Sequence, residues 1–174
     1  MSKCFKYHGK VKLKTADNTY ESANNGTSKL FNMLCSLLGI MKNNLAYYPA
    51  YISILAFNSQ QSDFEQPYDS YINATDKPIQ VTLSEIIITN RSIIKKQGDD
   101  SILKLSGLLT YANTRKDADG KGYSGKYIYA LLLDSTKTDI LAFSKIAEAG
   151  DINAVAGNSL GQAEISWEMS FTNN

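Results

Sequence analysis

The chain has one histidine, His8, and two cysteines, Cys4 and Cys35, which limits the nucleophilic chemistry it can assemble. Ser–His–Asp catalysis would have to recruit His8. That residue sits in a lysine-rich N-terminal stretch with no G-x-S-x-G elbow nearby, so it reads as a surface or half-buried strand histidine. A thiol–imidazole pair between Cys35 and His8 is the other option. Cys35 stands close to Leu34, Leu37 and Leu38, which makes it a packing residue. Two cysteines are too few for a disulfide scaffold and too scattered for a zinc cluster, so both are expected as buried, reduced thiols.

The carboxylates and glycines give equally little. Asp117-x-Asp119-Gly120 resembles the start of a calcium loop, but the twelfth position, which should carry a bidentate glutamate, is Ile128. Glu164 and Glu168 fall on one face of a strand, roughly 13 Å apart at about 3.3 Å per residue. Glycoside hydrolysis needs its two carboxyl groups within roughly 5 to 9.5 Å, so these glutamates read as solubilising or edge-protecting charges. Gly120-Lys121-Gly122-Tyr123-Ser124-Gly125 lacks the spacing of a phosphate loop and opens no helix. No catalytic, metal or cofactor residue is therefore expected, and the chain reads as non-enzymatic.

A chain of 174 residues suits one domain with a real core. A charged fraction of 20% with 43% hydrophobic residues is globular, and a net charge of +1 gives no basic excess for nucleic acid. No apolar run reaches the roughly 18 to 20 residues of a membrane span, and the N-terminus has no signal-peptide apolar region. Neither nucleic acid nor membrane is expected as a partner, and synthesis in the cytoplasm is expected. Asn25, Asn73 and Asn90 match the glycosylation pattern, which without a secretion signal reflects asparagine-rich composition.

The stretch Asn25–Phe57 organises the rest. Thr27 or Ser28 can cap a helix whose apolar stripe is Leu30, Leu34, Leu37, Leu38 and Met41, with Met33 beside it. Asn43-Asn44 ends that helix, and Tyr51–Phe57 is a β-prone apolar run. Phe5, Tyr7, Val11 and Leu13 share one strand parity while Lys6, Lys10, Lys12 and Lys14 hold the other. Residues 16–25 read as a polar turn region. Later strands are expected over 79–89, with Ile93-Ile94 continuing beyond a bulge, then 102–111, 127–133 and 140–147. The last strand alternates most clearly: Ala163, Ile165, Trp167, Met169 and Phe171 against Gln162, Glu164, Ser166, Glu168 and Ser170. Seven or eight strands, one helix and no βαβ alternation predict a mainly β fold. The best fit is an antiparallel β-sandwich with one amphipathic helix in its N-terminal half, as one domain over 1–174.

Aromatic supply is the unusual feature, with eleven tyrosines and six phenylalanines. Residues 58–78 form a polar loop of about 20 residues, long for a connection of no function. Phe64, Tyr68, Tyr71 and Ile72 within it, and Tyr47 and Tyr48 before it, are the candidate interface residues. The loop is expected to pack on a neighbouring subunit or partner through them.

Two runs carry a family resemblance. Asn25-Gly26-Thr27-x-x-Leu30 opens a short helix, and Pro49-x-Tyr51-Ile52 opens an apolar strand. The chain later has Leu141-Ala142, Ser159-Leu160-Gly161 and Ile165-x-Trp167-x-Met169-x-Phe171. Together these resemble small tailed-bacteriophage virion proteins of the tail-fibre, collar and adaptor type. The resemblance covers about a third of the chain. It implies a non-enzymatic structural component of the virion, made in the host cytoplasm, bound to other virion proteins in a homo-oligomer or symmetric assembly. The alternatives are a carbohydrate-binding module and a capsid-decoration or head-fibre protein.

Overall fold

Nine strands hold most of the residues that the computed structural model describes, which are 5–14, 19–35, 48–73, 78–95, 101–110, 126–148 and 162–173. β1 (Phe5–Lys14) and β2 (Thr19–Gly26) precede α1 (Ser28–Cys35), and β3 (Pro49–Phe57) precedes the short α2 (Tyr68–Ile72). Then come β4 (Pro78–Ile87), β5 (Asn90–Lys95), β6 (Ser101–Thr110), β7 (Tyr127–Asp134), β8 (Ile140–Glu148) and β9 (Gln162–Asn173). They form one antiparallel sheet in the order β4-β3-β7-β8-β2-β1-β9-β6-β5. The mainly β class with a helix in the N-terminal half is as the sequence predicts; the layers are a single sheet curled on itself.

Two strand passages make the corners. β2 pairs with β1 from Gly9↔Asn24 to Lys14↔Thr19, and its far end pairs with β8 at Asn25↔Phe143 and Gly26↔Ala142. Opposite, the chain leaves one edge strand and enters the other within two residues. Ile88 N–H still donates to Ala50 O of β3 (2.9 Å), and Thr89 N–H already donates to Ser106 O of β6 (3.0 Å). Ile93-Ile94 therefore belong to a separate strand on the far half of the sheet, not to an extension of β4. Gly107 permits the crossing, because a Cβ there would stand 2.5 Å from the Ile87 carbonyl oxygen.

Inside the curl lies one core. The alternating strands supply Val11, Leu13, Leu105, Leu109, Ile165, Trp167 and Met169, and the facing half supplies Ile52, Ile54, Ile128, Ala130 and Leu132. Leu30 and Met33 of α1 pack into it. Each such side chain contributes roughly 1.5 to 3 kcal/mol of burial. The rest of the expected stripe, Leu37, Leu38 and Met41, lies outside the described residues, as does Asn43-Asn44.

β3 and β7 do not alternate in polarity because both of their faces are covered. Ile52, Ile54 and Ala56 point inward, whereas Leu55, Phe57, Tyr129, Leu131 and Leu133 form a second apolar cluster on the outer face. Something must cover that cluster, and the segment between β3 and β4 does so.

β2 is a strand where the sequence predicts turns. Its inward positions are Tyr20, Ser22 and Asn24, so apolar alternation is missing and register with β1 defines it instead.

Candidate functional site

Residues 58–73 are fastened to the outer face at several points. Phe64 is 1% exposed and packs among Phe57, Tyr71, Tyr129 and Phe143, with ring centroids 4.7 to 5.7 Å away. The Tyr129 hydroxyl accepts from Gln61 N–H and donates to Gln61 O, both at 3.0 Å. Tyr68 N–H donates to Thr138 O (2.8 Å), and the Tyr68 and Ser53 hydroxyls share a hydrogen bond of 2.6 Å. Glu65 reaches α1: its carboxylate accepts from Ser28 N–H (3.1 Å) and Ser28 Oγ (2.6 Å). That carboxylate satisfies one of the orphan donors at the helix start. The Thr27 hydroxyl is used elsewhere, donating toward the Ile140 and Leu141 carbonyls at 2.6 and 3.1 Å.

Three candidate interface residues are corrected by this placement. Phe64, Tyr68 and Tyr71 are buried in the second cluster of their own fold, not presented to a partner. The physical reason is the two-sided apolar character of β3 and β7, whose outer face demands aromatic cover. Ile72 remains exposed at the end of α2, and Tyr48 is 44% exposed just before β3. Tyr47 lies outside the described residues.

Polar residues are left on the outside of this pinned segment. Gln60, Gln61, Ser62, Asp63, Gln66 and Ser70 line a cavity of about 230 Å³, with Tyr71 at its wall. Gln66 N–H donates to the Tyr71 hydroxyl at 3.3 Å. Burial first, then the Asp63 and Glu65 carboxylates, raise the Tyr71 phenol above its ordinary range, so it stays protonated.

A second surface lies at the terminal strand of the sheet. Among the described residues β5 pairs only with β6. Ile93 is 69% exposed and Ile94 40% exposed. Arg91 shares Ile93's parity and is held in place: its guanidinium donates to Pro49 O (3.1 Å) and Ile88 O (3.3 Å) and lies 5.5 Å from the Tyr48 ring centroid. Tyr48, Arg91 and Ile93 thus form an exposed row of aromatic, cation and aliphatic groups. The Ile93-Ile94 pair could have signalled it, since adjacent strand residues point to opposite faces and an edge strand rarely buries both.

The outer face of β1, β9 and β6 is an ion-pair lattice. Lys10 and Lys12 meet Glu21 at 2.6 and 3.2 Å, Lys12 meets Glu168 at 3.6 Å, and Lys104 meets Glu164 at 3.2 Å. Hydrogen bonding from both lysines lowers the Glu21 carboxyl, and Lys12 is raised chiefly by Glu21. Such exposed pairs are worth little stability individually. Glu164 and Glu168 thereby lie on the outer face as ion-pair partners, but β9 is paired on both sides by β1 and β6, so they protect no sheet edge. His8 is exposed on this face opposite Ser170, and among the described residues no side chain hydrogen-bonds it. The Asp117–Asp119 motif and the glycines that follow it lie outside the described residues, as do Cys4 and the Cys35 side chain.

Among the described residues no three His, Cys, Asp or Glu side chains gather as metal ligands, and no helix is long and apolar enough to cross a membrane. Comparison with family models, curated proteins and solved structures finds no match to this chain.

Proposed function

We propose that the chain is a non-enzymatic structural component of a tailed-phage virion, a tail, collar, adaptor or fibre-attachment protein that works through protein–protein contacts. The observation that carries this reading is the exposed row Tyr48–Arg91–Ile93 on a sheet edge. Tyrosine and arginine are the residues most often found as binding hot spots, and Arg91 is already oriented by two backbone carbonyls. Among the described residues no strand pairs the outer edge of β5, and such an edge offers backbone groups to an added strand. β5, Asn90–Lys95, has Arg91 and Lys95 in its sequence and no acid, so the added strand is one from a neighbouring virion protein bearing acidic and apolar side chains. The loose resemblance to virion proteins supports the same assignment.

The test is Ile93→Lys combined with Tyr48→Ser. Both sites are exposed, so the isolated protein should melt as the parent does, while incorporation into assembled particles is lost. Normal incorporation of this variant would refute the reading.

A further inference from the structure

We infer that the cavity walled by residues 60–71 is a binding site for a neutral polyhydroxylated ligand of the saccharide class. This is a different surface from the β5 edge and does not depend on the assembly role.

Three observations converge. First, the lining is made of the right groups. Gln60, Gln61 and Gln66 carry primary amides, Asp63 a carboxylate, and Ser62 and Ser70 hydroxyls. Amides and carboxylates are planar, two-atom hydrogen-bonding groups whose spacing suits vicinal hydroxyls, the repeating feature of a sugar ring. Among the described residues the Gln60, Ser62, Asp63, Gln66 and Ser70 side chains bond no other protein group, so their capacity is available. Second, the charge is selective. Among the described residues no lysine or arginine lines the cavity, while Asp63 lies in it and Glu65 is near enough to act on Tyr71. Phosphates, carboxylates and nucleic acid require cationic donors and are disfavoured here. Third, the site is built before the ligand arrives. Gln61's backbone is clamped by Tyr129, Phe64 is locked in the aromatic cluster and Glu65 is tied to Ser28. Ordering such a segment costs roughly 1 to 2 kcal/mol per residue, and here folding has already met that cost. The aromatics that look like contact residues in the sequence hold the scaffold, and the glutamines between them face outward.

The volume of about 230 Å³ holds one sugar ring. With little aromatic surface exposed, binding rests on hydrogen bonds, so the affinity is weak and depends on hydroxyl stereochemistry.

The experiment titrates a panel of neutral mono- and disaccharides, with sialic acid and inorganic phosphate as anionic controls, into the full chain labelled with nitrogen-15. The side-chain amide signals of Gln60, Gln61 and Gln66 are followed by NMR. At least one neutral sugar should shift them, while sialic acid and phosphate leave them in place. Asp63→Ala should weaken binding about tenfold, the loss of one charged acceptor. Gln66→Ala should weaken it less, and both variants should keep the parent's backbone spectrum. Ile93→Lys should leave sugar binding unchanged, which separates this site from the assembly surface. The proposal is overturned if no neutral sugar moves the glutamine signals at millimolar concentration, if the anions bind as well, or if Asp63→Ala binds like the parent.

Discussion

With the Asn24 amide turned so that its oxygen meets donors, that oxygen accepts from the indole Nε1–H of Trp167 at 2.7 Å and joins β2 to β9 across β1. The same oxygen accepts from Lys10 N–H at 3.0 Å, and two donors on one side fix the orientation of the amide. Its nitrogen then faces the Tyr7 hydroxyl. Gly9 stands directly across from Asn24, where any Cβ would collide with that amide.

Asn24→Ala should therefore cost more than its small size suggests. It removes the amide shared by the Trp167 indole N–H, the Tyr7 hydroxyl and the Lys10 N–H, and although Trp167 and Tyr7 keep each other, the lost acceptor should cost about 1 to 3 kcal/mol. Urea denaturation monitored by Trp167 fluorescence checks this. A shift in midpoint equivalent to well under 1 kcal/mol would mean that water or repacking satisfies the donors.

Tyr7 gives a pH prediction. Burial pushes its phenol up to about 12 from an ordinary 10.0, against smaller lowering effects from Trp167 and Asn24. Between those values the unfolded chain releases the proton and the folded chain keeps it, so stability is full below pH 10 and falls as pH rises toward 12. The loss is on the order of 2 to 3 kcal/mol by the upper limit. Tyr7→Phe should flatten this alkaline fall relative to the parent, as read from melting temperatures across the range. An unchanged slope would place the titration elsewhere.

Changing Phe64, Tyr68 and Tyr71 together to Ser should unfold or strongly destabilise the isolated protein. Phe64→Ala alone should cost about 3 to 5 kcal/mol, since it removes a fully buried ring. Thermal melting of the purified chain decides between this and a partner-facing loop, for which the melting temperature would stay put.

Asp134 is a buried carboxylate at the β7–β8 turn. It accepts from Thr136 N–H (2.8 Å) and from the Thr136 hydroxyl, and from Thr138 N–H (2.9 Å) and Asp139 N–H (2.8 Å). The turn it holds includes Lys137 in the left-handed region at φ 61° and presents Thr138 O to the start of α2. Asp134→Ala should cost about 2 to 3 kcal/mol. It should also speed amide exchange at Tyr68, whose N–H depends on that carbonyl. Slow exchange at Tyr68 in the variant would show that the turn stands without its carboxylate.

Where polarity alternates with period two, residues alone locate the structure. Trp167 is fully buried and β9 runs on the parity the sequence predicts. β2 stays hidden because its inward face is Tyr20, Ser22 and Asn24, of which only Tyr20 packs against the apolar core. The role of the Phe64 loop is equally hidden. An aromatic in a polar segment can cover its own sheet or another molecule's, and only the two-sided burial of β3 and β7 separates these. Their unbroken apolar runs were the available sign. The crossing at Ile88–Thr89 leaves no trace except Gly107, distant in sequence and open to many uses. The Gln60–Gln66 cavity has no motif at all, being made by the anchors beneath it.

The position of β9 between β1 and β6 has a kinetic consequence. Phe5 faces Asn173, and Ile102 faces Ser170, so the central ladder of one half of the sheet joins the earliest-made of these strands to the last. On the ribosome β1 and β6 emerge with their inner edges open and must wait for residues 162–173. Contacts of such high order make for slow folding, in milliseconds to seconds by the usual trend for β topologies. During that wait the nascent chain exposes two unpaired edges, a natural target for holding chaperones.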